Sequence, residues 1–202
     1  MKICIILSTR PEIIKLVSFI NLLKKNKENF FLINTNQHYS NIMSDVFFNF
    51  FKLSKPKYNI KASNRSNVSF FSKTLNEVEK ILIKEKPDYF IVQGDTNTSM
   101  AGCLACSIYN RKYRNLRDKI KIIHIEAGLR SFDETMPEEI NRTIIDKLSD
   151  VLFVPTDFDV LNIKKENLSK NKKIIKVGNT ITDVVKSHLP LLKKNNILKK
   201  MN

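Results

Sequence analysis

Six short runs of apolar, β-branched-rich residues, separated for the most part by segments of helical period, constrain this chain more than any other feature. The runs are Lys2–Leu7, Phe30–Thr35, Tyr89–Gln93, Ile120–Ile125, Val151–Val154 and Ile174–Val177. Between them, Ile13–Lys25, Phe70–Lys86, Thr98–Asn110, Glu138–Leu148 and Asp157–Leu168 repeat apolar residues every third or fourth position, the pattern of an amphipathic helix. Strands that alternate with helices pair in parallel, because each connection must cross back over the sheet. Runs that are apolar at nearly every position are covered on both faces. The expectation is therefore a doubly wound, Rossmann-like α/β domain with six parallel strands and no internal repeat beyond this alternation.

Composition enters where it excludes alternatives. With 202 residues, 42% of them hydrophobic, the chain can bury one full core. Lys and Arg outnumber Asp and Glu by 35 to 20, a formal charge of +15 that invites a nucleic-acid reading. The lysines, however, are scattered over every segment and do not share one stripe with aromatics, so solvated helix faces account for them and nucleic acid is not expected as a partner. The Lys/Asn-rich stretches Lys164–Lys173 and Lys193–Asn202 read as solvated helix ends or tail. No window of about 18 uninterrupted apolar residues occurs, and the opening apolar run is cut short by Arg10, so neither a membrane span nor a signal peptide is expected, and the reading is cytoplasmic. Three cysteines, Cys4, Cys103 and Cys106, are too few for a disulfide framework. The lone C-x-x-C of Cys103 and Cys106 lies in an apolar helical setting, where core packing is the simpler reading than a metal site. Neither metal nor cofactor is expected.

In an open parallel sheet, ligands bind beyond the carboxyl ends of the strands. Here those ends are polar and charged. Arg10 and Lys15 flank Pro11 after the first strand, and Gln37 and His38 follow the second. Gly94-Asp95-Thr96 follows Tyr89–Gln93, and Glu126-Ala127-Gly128-Leu129-Arg130 follows Ile120–Ile125. Glu138 and Glu139 open the next helix after Pro137, with Asn141 and Arg142 within a turn; carboxylates there also suit the positive end of the helix dipole, so capping alone would account for Glu138. Arg10 could pair with Glu12, and Arg130 with Glu138 or Glu139. His124 lies within an apolar strand and His188 on a lysine-flanked helix; both read as structural.

Taken in order, Ser8-Thr9-Arg10-Pro11-Glu12 with Lys15, Gln37-His38, Gly94-Asp95-Thr96, Glu126-Ala127-Gly128-Leu129-Arg130-Ser131, Met136-Pro137-Glu138-Glu139-Ile140-Asn141-Arg142 and Val177-Gly178-Asn179-Thr180 resemble the non-hydrolysing UDP-N-acetylglucosamine 2-epimerases. The resemblance runs from Lys2 to about Val185. It implies the N-terminal half of a GT-B-like two-domain architecture, with residues 1–178 as the Rossmann-like domain and 179–202 as interdomain hinge or the start of a second domain.

It also implies a chemistry. Removing the C2 proton of a GlcNAc unit with no adjacent carbonyl faces an impractical barrier for a side-chain base. The family route is elimination of UDP from C1 with loss of that proton, giving a 2-acetamidoglucal, followed by re-addition of UDP with inversion at C2. By matching motif, Asp95, Glu126 and Glu138 are the expected proton-transfer and sugar-orienting carboxylates. Arg10, Lys15 and Arg142 would offset charge on the departing diphosphate. Gln37 and His38 would hydrogen-bond substrate. The implied partners are the UDP-sugar substrate, a second copy of the chain in a homodimer, and a separate protein supplying the C-terminal half. Product ManNAc units would serve surface polysaccharide. The alternatives are an inactive half or binding module, and a hydrolysing epimerase that releases ManNAc and UDP.

Two positions depart from the family pattern: Ser8 and Asn36 stand where glycine is usual. Of the two, Asn is the better tolerated at positive φ, whereas Ser8 would crowd a backbone approach to ligand. Tyr109–Lys119 is longer than the family's connection and reads as an exposed loop.

Overall fold

The computed structural model of the chain describes residues 1–36, 41–62, 66–113, 115 and 118–194. In chain order the elements are β1 (Lys2–Leu7), α1 (Arg10–Lys25), β2 (Asn29–Asn34), α2 (Asn41–Phe50), β3 (Tyr58–Asn59), α3 (Asn67–Glu85) and β4 (Tyr89–Gln93). There follow α4 (Asn97–Tyr113), β5 (Lys121–Ile125), α5 (Pro137–Leu148), β6 (Val151–Val154), α6 (Asp157–Lys165), β7 (Lys173–Lys176) and α7 (Thr180–Lys194). The strands form one sheet in the order β3-β2-β1-β4-β5-β6-β7, and every neighbouring pair is parallel. The doubly wound architecture is as expected. The strand count is not: among the described residues there are seven strands, not six, because the two-residue β3 pairs Tyr58 with Ile33 and Asn59 with Asn34 at the sheet edge. Helix α4 also runs through Tyr113, so the first part of the expected Tyr109–Lys119 loop is helical.

Residues alternate between two cores, as the two-residue period of a strand requires. On one face Cys4, Ile6, Ile33, Phe90, Val92 and Ile122 pack with Val78 and Leu82 of α3 and with Cys103 and Cys106 of α4. On the other, Ile3, Ile5, Leu7, Leu32 and Ile91 pack with Ile13, Leu16, Val17 and Ile20 of α1, and Val184 of α7 joins them. All three cysteines are free and buried; burial pushes the Cys103 thiol up to about 12, which keeps it protonated and inert. Among the described residues, no helix is long and apolar enough to cross a membrane.

The strand order reverses direction between β1 and β4, which leaves the turns after these two strands splayed around one crevice. Glu12 ties them together. It occupies the N3 position of a capping box on Thr9, its Oε2 accepting from the Ser8 amide at 3.0 Å and the Thr9 amide at 2.6 Å. Its Oε1 accepts from Thr96 Oγ1 at 2.7 Å, on the turn after β4. Glu12 thus faces inward and does not pair with Arg10. Burial pushes its carboxyl pKa up, against these hydrogen bonds.

Candidate active site

Four of the sequence-derived candidates meet at the ends of β4 and β5 and in the helices beside them. Lys15, one turn into α1, places Nζ 2.7 Å from both carboxylate oxygens of Glu126. Gln93, the last residue of β4, donates from Nε2 to the same carboxylate. Glu126 itself has φ +74°, unusual for a residue with a side chain. The cause is local: the amides of Glu126 and Ala127 both donate to the Phe153 carbonyl at 3.0 Å, which bends the chain out of β5. A strained carboxylate held by a lysine and an amide marks a site better than any motif does.

Alongside, Arg142 of α5 places Nη2 2.6 Å from Asp95 Oδ2 and Nη1 2.8 Å from Glu139 Oε2. Asn141 Nδ2 donates to the Asp95 carbonyl at 2.8 Å, so α5 holds both ends of that residue. The Arg142 Nε is buried and finds no hydrogen-bond partner among the described residues. The site therefore carries two cations and three carboxylates in preformed contacts, Lys15 with Glu126 and Arg142 with both Asp95 and Glu139.

The other candidates stand apart from these pairs. Arg10 is exposed on the first turn of α1 and Glu138 on the first turn of α5. Gln37 and His38 lie outside the described residues. Arg130 pairs with neither Glu138 nor Glu139: its guanidinium is buried against Asp146 at 2.8 Å and Glu166 at 2.6 Å. Asp146 comes from α5 and Glu166 from the C-cap of α6, a pairing that the local spacing of charges does not disclose. Asn36 has φ +51°, the left-handed region where Asn is tolerated, and so does the work of the usual glycine. Ser8 has no such requirement; it is buried, and its amide serves Glu12.

Residues given no site role by the motifs are Glu12, Gln93, Glu139 and the buried pair His124 and Asp146, of which Glu12 and Glu139 are weighed only as ion-pair partners and His124 as structural. The spacing Thr9-x-x-Glu12 is a capping-box signature, and Glu139 with Arg142 is an i,i+3 pair, so both were available in principle. Glu139 folds back to accept from the Ser131 amide at 2.9 Å, the Ser131 hydroxyl at 2.9 Å and the Phe132 amide at 3.2 Å. Burial alone would push its carboxyl up, but these donors and Arg142 outweigh it and hold the pKa down at about 2. An unfolded chain with the ordinary value of 4.5 binds the proton first, so this contribution is complete above that value and is lost as pH falls towards about 2. Glu139→Gln should flatten the acid limb of a stability-versus-pH curve across that window; an unchanged limb would contradict the assignment.

A parallel sheet with paired charges at its switch point defines a ligand-binding α/β domain of the Rossmann type. Comparison with known proteins narrows this. The family model for UDP-N-acetylglucosamine 2-epimerase matches residues 21–202. The UDP-N-acetylglucosamine 2-epimerase of Methanococcus maripaludis is 50% identical over 194 residues, which are 96% of this chain and 50% of that protein. That of Methanocaldococcus jannaschii is 47% identical over 195 residues, with the same coverage of 96% and 50%. The crystal structure of the M. jannaschii UDP-GlcNAc 2-epimerase in complex with UDP-GlcNAc and UDP superposes with a TM-score of 0.88 at 45% identity, covering all of this chain and 53% of that one. The chain belongs to the UDP-N-acetylglucosamine 2-epimerase family. It spans about half the length of the curated relatives it matches.

Proposed function

We propose that the chain carries the N-terminal half of the active site of an enzyme that interconverts UDP-GlcNAc and UDP-ManNAc. The observation that carries this reading is the pairing of Lys15 with Glu126 and of Arg142 with Asp95 around one crevice, because the chemistry needs both members of each pair. Elimination of UDP develops negative charge on the diphosphate while a base takes the C2 proton. An arriving diphosphate offers Lys15 and Arg142 several charged acceptor oxygens in place of Glu126 and Asp95. Their transfer to it would leave Glu126 and Asp95 unpaired, as bases, at the sugar. Glu138 and Arg10, both exposed at helix N-termini beside this rim, would reach the ligand from solvent, and Gln37 and His38 would also contact it.

The relatives are about twice as long as this chain. A C-terminal half like theirs would supply the remaining contacts to the nucleotide, and the complete enzyme would act in the cytoplasm as a homodimer supplying ManNAc units for surface polysaccharide. The test is a 1H NMR time course of the chain with UDP-GlcNAc in D2O, alone and with a C-terminal-half protein. UDP-ManNAc carrying deuterium at C2 supports the reading. Free ManNAc would mean hydrolysis, and no change in either mixture would mean a binding half without chemistry.

The division of labour predicts a further result. Lys15→Met should weaken UDP binding about tenfold or more by isothermal titration, the loss of one charge-assisted contact. Unaltered affinity would remove Lys15 from the diphosphate site.

A further inference from the structure

We propose that His124 is a positioning residue of this site: with hydrogens on both ring nitrogens, it holds the turn bearing Asp95 and, through Asp146, the turn that follows Glu126. The inference rests on the roles proposed above for Asp95 and Glu126, while the geometry beneath it does not.

His124 is fully buried, one residue before the carboxyl end of β5. Its Nδ1 lies 2.7 Å from Asp146 Oδ1 and its Nε2 lies 2.9 Å from the Gly94 carbonyl oxygen. A carbonyl only accepts, and so does an ionised carboxylate. A neutral imidazole has one N–H and would leave a lone pair facing a lone pair on the other side, so the contacts require the imidazolium. The surroundings balance that charge. Asp146 Oδ2 accepts from the Gly128 amide at 3.1 Å and pairs with Arg130 Nη1 at 2.8 Å, and Arg130 continues to Glu166. Two cations and two carboxylates sum to zero, the condition under which a buried ionic cluster is tolerated. Burial would push the Asp146 carboxyl up, yet His124 and Arg130 hold it below the ordinary carboxylate value.

The consequence is geometric. The Gly94 carbonyl belongs to the peptide unit that leads into Asp95, so fixing it orients Asp95 from below while Asn141 fixes it from above. The Gly128 amide, two residues beyond Glu126, is fixed by the same carboxylate that holds the ring. One imidazolium thus sets the spacing between the two proposed proton-transfer carboxylates. A displacement of about 1 Å at such groups can lower a rate about a hundredfold.

The first test is direct observation of the His124 ring by 1H–15N NMR in the full chain at neutral pH. Two protonated nitrogens are expected; a bare nitrogen overturns the proposal. The second compares His124→Gln with the control Ile122→Val on the same strand. His124→Gln should move the amide resonances of Gly94, Asp95 and Gly128, and in the assembled enzyme should lower kcat about 10- to 100-fold with KM changed about twofold or less. The control should lose stability without moving those amides, and equal shifts in both variants would overturn the positioning role. Should His124→Gln fail to fold, Asp146→Asn is read the same way. If the wild-type mixture turns nothing over, the proposed function fails while the NMR arms still decide this inference.

Discussion

Gly128→Ala should destabilise the chain by about 3 kcal/mol, measured by urea unfolding. Gly128 has φ +82°, which disfavours any residue with a Cβ by about 1–2 kcal/mol. Space is also lacking: an added Cβ would lie 2.6 Å from the Asp159 carbonyl oxygen and 3.0 Å from both Asp159 Cβ and Ile163 Cδ1. Helix α6 cannot simply withdraw. Asp159 is locked into a capping box with Thr156, Ile163 is fully buried, and Asn162 Nδ2 donates to the Gly128 carbonyl at 3.0 Å. Overpacking of this kind costs about 1–3 kcal/mol, and the two effects act on one residue. A loss below about 1 kcal/mol would show that α6 rocks freely on the sheet.

The largest effect on chemistry is expected at Glu126. Glu126→Gln keeps an oxygen for the Gln93 amide to bond and keeps the length of the side chain, so the fold should change little. What it removes is a base. Deuterium incorporation at C2 of UDP-GlcNAc by the assembled enzyme should fall by about 10²- to 10⁴-fold, the range a positioned general base contributes. UDP affinity should stay close to that of the wild type, because Lys15 loses only a carboxylate it would give up on binding. Exchange at the wild-type rate would transfer the proton-transfer role away from Glu126. A parallel collapse of affinity and exchange would instead point to a structural part played with Lys15.

How much of this was legible beforehand depended on range. The long strands are runs such as Ile3 to Leu7, and the doubly wound class follows from them. The edge strand Tyr58–Asn59 has no pattern of its own; it exists because Ile33 and Asn34 offer an open edge. Helix α2 went unassigned although Ile42, Met43, Val46, Phe47 and Phe50 have helical spacing. At the site, motif order brought Asp95, Glu126, Lys15 and Arg142 to one rim, since each follows a strand or opens the helix beside it. Their pairing was not visible, because Lys15 and Glu126 are 111 positions apart. Arg130 shows the same limit, its partners coming from α5 and from the C-cap of α6. Where a signal was local, as in the Thr9 to Glu12 box, it was present and simply outweighed by the charged residues around it.

The sheet's strand order also bears on how the chain is made. β1 lies at the centre, with β2 on one side and β4 on the other. Its pairing partner β2 emerges from the ribosome soon after it, but Ile3 must wait for Tyr89 before its other edge is closed. During that interval β1 presents an open row of backbone groups and apolar side chains, the kind of edge that seeks other strands. Completion of β4 and α4 therefore separates a half-built sheet prone to association from a sheltered one, and nascent chains stalled before Tyr89 should be those that engage chaperones.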